Sequence, residues 1–68
     1  MSQITLRAAR INAGYTQKEA ADMLGISKTT LVKWEQGRTF PDAIAVSKIC
    51  ALYRTHYDDI CFLPTNSL

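Results

Sequence analysis

One histidine, two cysteines and two prolines are all that this 68-residue chain has of three residue types that often carry metals, disulfides or rigid turns. His56 has no second histidine to complete a zinc site, and Cys50 and Cys61, separated by ten residues, make no C-x-x-C element. The thiols are read as buried or half-buried structural groups, and no metal is expected. No apolar run approaches the ~18 residues that span a bilayer. The opening Met-Ser-Gln-Ile has neither the basic nor the apolar region of a signal peptide, so a cytoplasmic protein without a membrane partner is expected. Paired inward carboxylates, a serine or cysteine beside a base, and a phosphate-cradling glycine loop are also missing. An enzyme has nothing here to build a site from, and neither a cofactor nor a small-molecule ligand is expected. Strand-type alternation, internal repeats and low-complexity tracts are absent too.

What is present fits one small domain. A core of this size supplies only a few kcal/mol net, so well-formed helices, a partner subunit, or both are needed. The net charge is +2, unevenly placed. Residues 1–40 carry Arg7, Arg10, Lys18, Lys28, Lys33 and Arg38 against Glu19, Asp22 and Glu35, an excess of +3; residues 41–68 carry −1. The basic excess lies where a polyanion would be met.

The organising stretch is Gln17 to Gln36, QKEAADMLGISKTTLVKWEQ. Thr16 and Glu19 form a T-x-x-E capping box that opens a helix, along which Ala20, Ala21 and Leu24 share a face. Gly25 sits where a left-handed residue ends such a helix. Ser27 is an N-cap for a second helix from Lys28 to about Gln36, with Ile26 and Leu31 as its hydrophobic staple and Gly37 as its close. Leu31 and Trp34 point inward, while Lys28, Thr29, Val32, Lys33 and Gln36 lie outside. Two short helices joined this tightly make a helix-turn-helix that can lay its second helix in the major groove of DNA.

The ordered set Gln17, Ala21, Gly25, Leu31, Trp34, with Glu35 and Gly37 behind it, resembles the phage repressor and Cro family of helix-turn-helix domains, a likeness running from about Leu6 to Ile60. The docking geometry comes with the resemblance. Lys28, Thr29, Val32 and Lys33 are the candidate base contacts: lysine can donate to guanine O6 and N7, and the threonine and valine methyls can meet thymine methyls. Thr16, Gln17, Ser27, Gln36 and Arg38 are the candidate backbone contacts. The resemblance also implies a structural salt bridge between Arg10 and Glu35, joining the first helix to the recognition helix. Some family members carry an arginine near position 43 that reaches the minor groove. This chain has Ala43, and the resemblance does not extend to that contact.

Around this centre, Ile4 to Ala13 reads as a first helix with Leu6, Ala9, Arg10 and Ala13 inward. Asp42 caps a helix over Ala43 to Arg54 whose stripe is Ala45, Val46, Ile49, Leu52 and Tyr53, with Ile44 off the stripe. A last short helix is expected over about Tyr57 to Cys61, with Thr55 or His56 as its cap. Trp34 reads as a core anchor. The expected architecture is all-α, about five short helices over residues 1–64, with residues 65–68 a frayed tail. Ile60, Phe62 and Leu63 form an apolar surplus near the end and are the candidate dimer interface. The function implied is a sequence-specific transcription regulator, a small repressor or Cro-like protein. It would bind an inverted-repeat operator in double-stranded DNA as a homodimer, with RNA polymerase a further candidate partner. The rival is a protein-interaction module, such as an antitoxin, whose main partner is another protein.

Overall fold

The computed structural model describes residues 3–62. Four α-helices succeed one another: α1 (Leu6–Asn12), α2 (Gln17–Leu24), α3 (Lys28–Glu35) and α4 (Ala43–Tyr53). A single 3-10 turn, Tyr57–Asp59, follows. Two very short strands, β1 (Ile4–Thr5) and β2 (Ile60–Cys61), pair in parallel, Ile4 opposite Ile60 and Thr5 opposite Cys61. The all-α bundle read from the sequence is the observed architecture, with four α-helices among the described residues where about five short helices were expected.

Each helix starts where a side chain can satisfy an otherwise orphaned backbone donor. Thr5 accepts from the Ala8 amide, Thr16 from Glu19, Ser27 from Thr30 and Asp42 from Ala45. At Thr16 the box is reciprocal, because the Thr16 amide donates to Glu19 Oε1 at 2.9 Å. Each helix also ends in the same way. The amides of Tyr15, Ile26, Arg38 and Thr55 reach back to the carbonyls of Arg10, Ala21, Lys33 and Cys50, around a residue in the left-handed region. In α1 to α3 that residue is glycine, which has no Cβ to oppose a positive φ; in α4 it is Arg54, at φ 54°.

Two sequence expectations are corrected at the ends. The first helix begins at Leu6 rather than Ile4, because Thr5 is its extended N-cap and Ile4 pairs with Ile60. The last segment is not a helix through Cys61. His56 makes no side-chain cap, the turn stops at Asp59, and Ile60 is extended at φ −113°, ψ 133°. β-branched Ile60 suits that conformation, and its side chain completes the core. Gln3 Nε2 adds a further tie, donating to the Asp58 carbonyl at 3.0 Å.

The core comprises Leu6 and Ala9 from α1, Ala20, Ala21 and Leu24 from α2, Leu31 from α3, Ile49 and Tyr53 from α4, and Ile60. Alanines at 20 and 21 are fully buried, and such small side chains suit the close packing of α2 on α3 and α4. Trp34, Tyr15 and Leu52 pack against this cluster from its edge, and Ile44 is exposed. Among the described residues no helix is long and apolar enough to cross a membrane.

Candidate nucleic-acid interface

The outer face of α3 is open and basic. Lys28, Thr29, Val32, Lys33, Gln36 and Arg38 line a single shallow concavity. Four of these are the residues expected to meet base edges, and the other two are expected on the backbone. The fold brings them together because positions 28, 29, 32, 33 and 36 follow the three- and four-residue spacing of one helix face. Arg38 joins them because Gly37, in the left-handed region, turns the chain back beside α3. Lys28, Lys33 and Arg38 are exposed and make no ion pair among the described residues. Three positive charges on one face without an anion among the lining residues make a surface suited to a polyanion. Val32 is half-buried, so only part of its side chain is left for a thymine methyl.

The remaining candidates sit at helix starts. Thr16 and Ser27 are exposed and use their hydroxyl oxygens as caps at 3.1 Å, and the Ser27 hydroxyl also meets that of Thr30 at 2.9 Å. Each accepts from the backbone, and the Thr16 hydroxyl keeps its own proton to direct elsewhere, whereas in the Ser27–Thr30 contact either hydroxyl can donate. Gln17 is half-buried. Its Nε2 donates to Glu35 Oε1 at 3.1 Å, a contact the sequence reading did not anticipate. The signal was present, since residue 17 opens one helix of the pair and residue 35 closes the other.

Beneath the face lies an ion pair. Arg10 Nε donates to Glu35 Oε2 at 2.7 Å and Arg10 Nη2 to Glu35 Oε1 at 3.3 Å, with side chains only 8% and 4% exposed. Arg10 Nη1 donates to the Tyr15 carbonyl at 2.9 Å. The network fastens α1, the α1–α2 turn, the start of α2 and the end of α3 to one another. Tyr53 lies close by, with its hydroxyl buried and without a hydrogen-bond partner among the described residues. Burial, with the Glu35 charge adding to it and Arg10 opposing, pushes its pKa up to about 12. Burial also raises the Cys50 thiol. Among the described residues no group of histidine, cysteine or carboxylate side chains could hold a metal ion.

The three candidate dimer-interface residues lie in different settings. Ile60 is 3% exposed, inside the core of its own chain, and so has no surface to offer a partner. Phe62 is half-buried with its ring stacked on Tyr57, centroids 5.6 Å apart, and Leu63 lies outside the described residues. One exposed apolar surface lies beside them. Phe40, Pro41, Val46, Tyr57 and Phe62 line one concavity, with Phe40 and Tyr57 more than half exposed.

A short helix with unpaired cations on its open face, presented by a second helix across a tight turn, defines the class of helix-turn-helix DNA-binding domains. A family model described as Helix-turn-helix (HTH_3) matches residues 6–60, and the chain belongs to that family. It is 42% identical over 53 residues to the HTH-type transcriptional regulator ImmR of Bacillus subtilis (strain 168), covering 78% of this chain and 42% of ImmR. Over 59 residues it is 37% identical to an uncharacterized HTH-type transcriptional regulator of Methanothermobacter thermautotrophicus, covering 85% of this chain and 86% of that one. It also matches the type II methyltransferase M1.ScrFI of Lactococcus lactis subsp. cremoris, at 39% identity over 49 residues that make up 13% of that enzyme. The chain thus spans about two fifths of ImmR and a small part of the methyltransferase, but most of the archaeal regulator. No solved structure gives a significant match. The family is one of DNA-binding transcription regulators.

Proposed function

We propose that this protein is a sequence-specific transcription regulator of the small repressor or Cro-like kind, binding an inverted-repeat operator as a homodimer. The observation that carries the reading is the α3 face, where Lys28, Lys33 and Arg38 stand exposed and unpaired around Thr29, Val32 and Gln36. Lys28, Thr29, Val32 and Lys33 read base edges in the major groove. Thr16, Gln17, Ser27, Gln36 and Arg38 hold the phosphates on either side. Two relatives named as HTH-type transcriptional regulators support the role. A two-fold operator requires a two-fold protein. The apolar surface of Phe40, Pro41, Val46, Tyr57 and Phe62 lies next to the loop that follows α3 and is the surface we assign to the partner subunit. Such a regulator works in the cytoplasm on the nucleoid, by blocking RNA polymerase or by touching it.

Selection from a randomised duplex pool tests this, at about 150 mM salt to suppress bare charge attraction. A short inverted repeat should emerge, and Lys28→Ala or Lys33→Ala should abolish the preference. A pool that stays random assigns the fold to holding another protein, as an antitoxin does.

A further inference from the structure

The hydrogen bonds that converge on Glu35 also determine how Gln17 is held. Glu35 Oε1 accepts from Gln17 Nε2 at 3.1 Å while the same carboxylate is gripped by Arg10 through Nε and Nη2. An ionised carboxylate has no proton to donate, so the end of the Gln17 amide that faces it must be the NH2 end. That removes the ambiguity of a surface glutamine, whose amide can turn either way. One N–H of Nε2 is committed to Glu35, and the second N–H and the amide oxygen remain available. The carboxylate itself cannot swing away, because two guanidinium nitrogens hold it and a third fixes the arginine to the Tyr15 carbonyl.

We propose that Glu35, fixed by Arg10, is a positioning residue that aims the second N–H of Gln17 at a DNA backbone phosphate. The inference rests on the reading of α3 as the major-groove helix with Gln17 on the backbone. With its side chain 4% exposed, Glu35 does not touch DNA; its effect passes through the glutamine. Two consequences make the arrangement useful. The rotameric freedom of the glutamine is given up on folding rather than on binding. The phosphate-gripping group on α2 is also bonded to the last turn of α3, so backbone clamp and base-reading helix keep one fixed register. Arg10 is required in a second sense. It neutralises a carboxylate that would otherwise repel the phosphate brought beside it.

The test uses the operator recovered by selection and duplexes in which single phosphates are replaced by neutral methylphosphonates. Affinities are measured by fluorescence anisotropy for the wild type, Gln17→Ala, Arg38→Ala, Glu35→Gln, and a double variant, Arg10→Met with Glu35→Leu. The double variant keeps the core filled while removing the anion that orients the amide. The wild type should lose about tenfold in affinity when the phosphate facing Gln17 is neutralised, the scale of a charge-assisted hydrogen bond. Gln17→Ala should lose nothing at that position. Whichever Glu35 variant melts cooperatively above the assay temperature should be equally indifferent there, yet keep the wild-type loss at the Arg38 phosphate. Retention of the tenfold loss in that variant overturns the inference, since Gln17 is then oriented without Glu35. A uniform weakening at every phosphate overturns it as well, since Glu35 then acts through the fold at large. A pool from which no operator emerges removes the DNA reading and this inference together, whereas an operator with unchanged phosphate dependence removes the inference alone.

Discussion

Replacing Glu35 with alanine should cost this protein much of its stability. The change removes three hydrogen bonds, two from Arg10 and one from Gln17. It leaves the Arg10 guanidinium, 8% exposed, with the Tyr15 carbonyl as its remaining partner. Breaking one side of a buried ion pair typically costs about 3–5 kcal/mol, because the surviving charge stays buried without compensation. A chain of this length has a total stability of roughly 3–10 kcal/mol at ~0.05–0.15 kcal/mol per residue. The loss is therefore about three tenths of the total at the least. With each kcal/mol shifting the melting temperature of a domain this size by about 4–8 °C, a fall of about 12 °C or more is expected. Since α1 and α3 are joined through this pair, DNA affinity should fall with it.

The assay is thermal and urea unfolding followed by circular dichroism at fixed protomer concentration, because association would make the midpoint concentration-dependent. The midpoint should move while the urea slope stays constant. Arg10→Met with Glu35→Leu should recover most of the loss, since matched apolar groups avoid the desolvation penalty altogether. Wild-type stability should also change little as the Debye length shrinks from about 10 Å at 0.1 M salt to about 3 Å at 1 M, because a buried pair is poorly screened. A Glu35→Ala cost below about 1 kcal/mol, the value of an exposed pair, would refute the reasoning by showing that Arg10 escapes to water.

Further outcomes follow from three other residues. Arg54, at φ 54° and ψ 50°, occupies the position where the other helices place glycine. Arg54→Gly should relieve about 1–2 kcal/mol of backbone strain against about 0.5–1 kcal/mol of added unfolded-state entropy, for a net gain of several tenths of a kcal/mol. A small rise in melting temperature checks it. Tyr53 has a folded-state pKa raised from 10.0 to about 12, so the fold favours its neutral form. Its contribution is complete below pH 10 and is lost as pH rises toward 12; ultraviolet titration should show a late tyrosinate phase that Tyr53→Phe removes. At neutral pH the same variant should be as stable as the wild type or more so, because the hydroxyl is buried without a partner among the described residues. Arg38→Ala should weaken operator binding about equally across sequences and lower the slope of log affinity against log salt by about 1.

How much of this was legible in the chain depended on the range of the interaction that decides each feature. The helix pair could be read because its signals are local. Thr16 and Glu19 cap α2, Gly25 ends it, and Ser27 starts α3, all within four residues of the backbone groups they satisfy. The outer face of α3 followed from helical spacing alone. The ends were misread because their conformation is decided at long range. Two-residue strands are too short to show alternation, and Ile4 and Thr5 are extended because Ile60 and Cys61 lie beside them. The same reason removed Ile60 from the surface. In sequence it reads as part of an apolar surplus, and in the fold it joins the core, where β2 packs against α1.

The polar tie among Arg10, Glu35 and Gln17 falls between these cases. Each residue could be placed on the correct side of its helix by periodicity, and the family resemblance implied the arginine–glutamate pair. That Gln17 shares the carboxylate depends on how closely α2 approaches α3. Ala20 and Ala21 are buried and their side chains end at Cβ, which suits close packing of α2 on its neighbours. A larger residue at either position would separate the helices and part Gln17 from Glu35 before it disturbed the exposed face of α3. The small residues at the crossing and the polar group at its rim are therefore one device. The core fixes the distance, and the distance decides whether Gln17 and Glu35 meet.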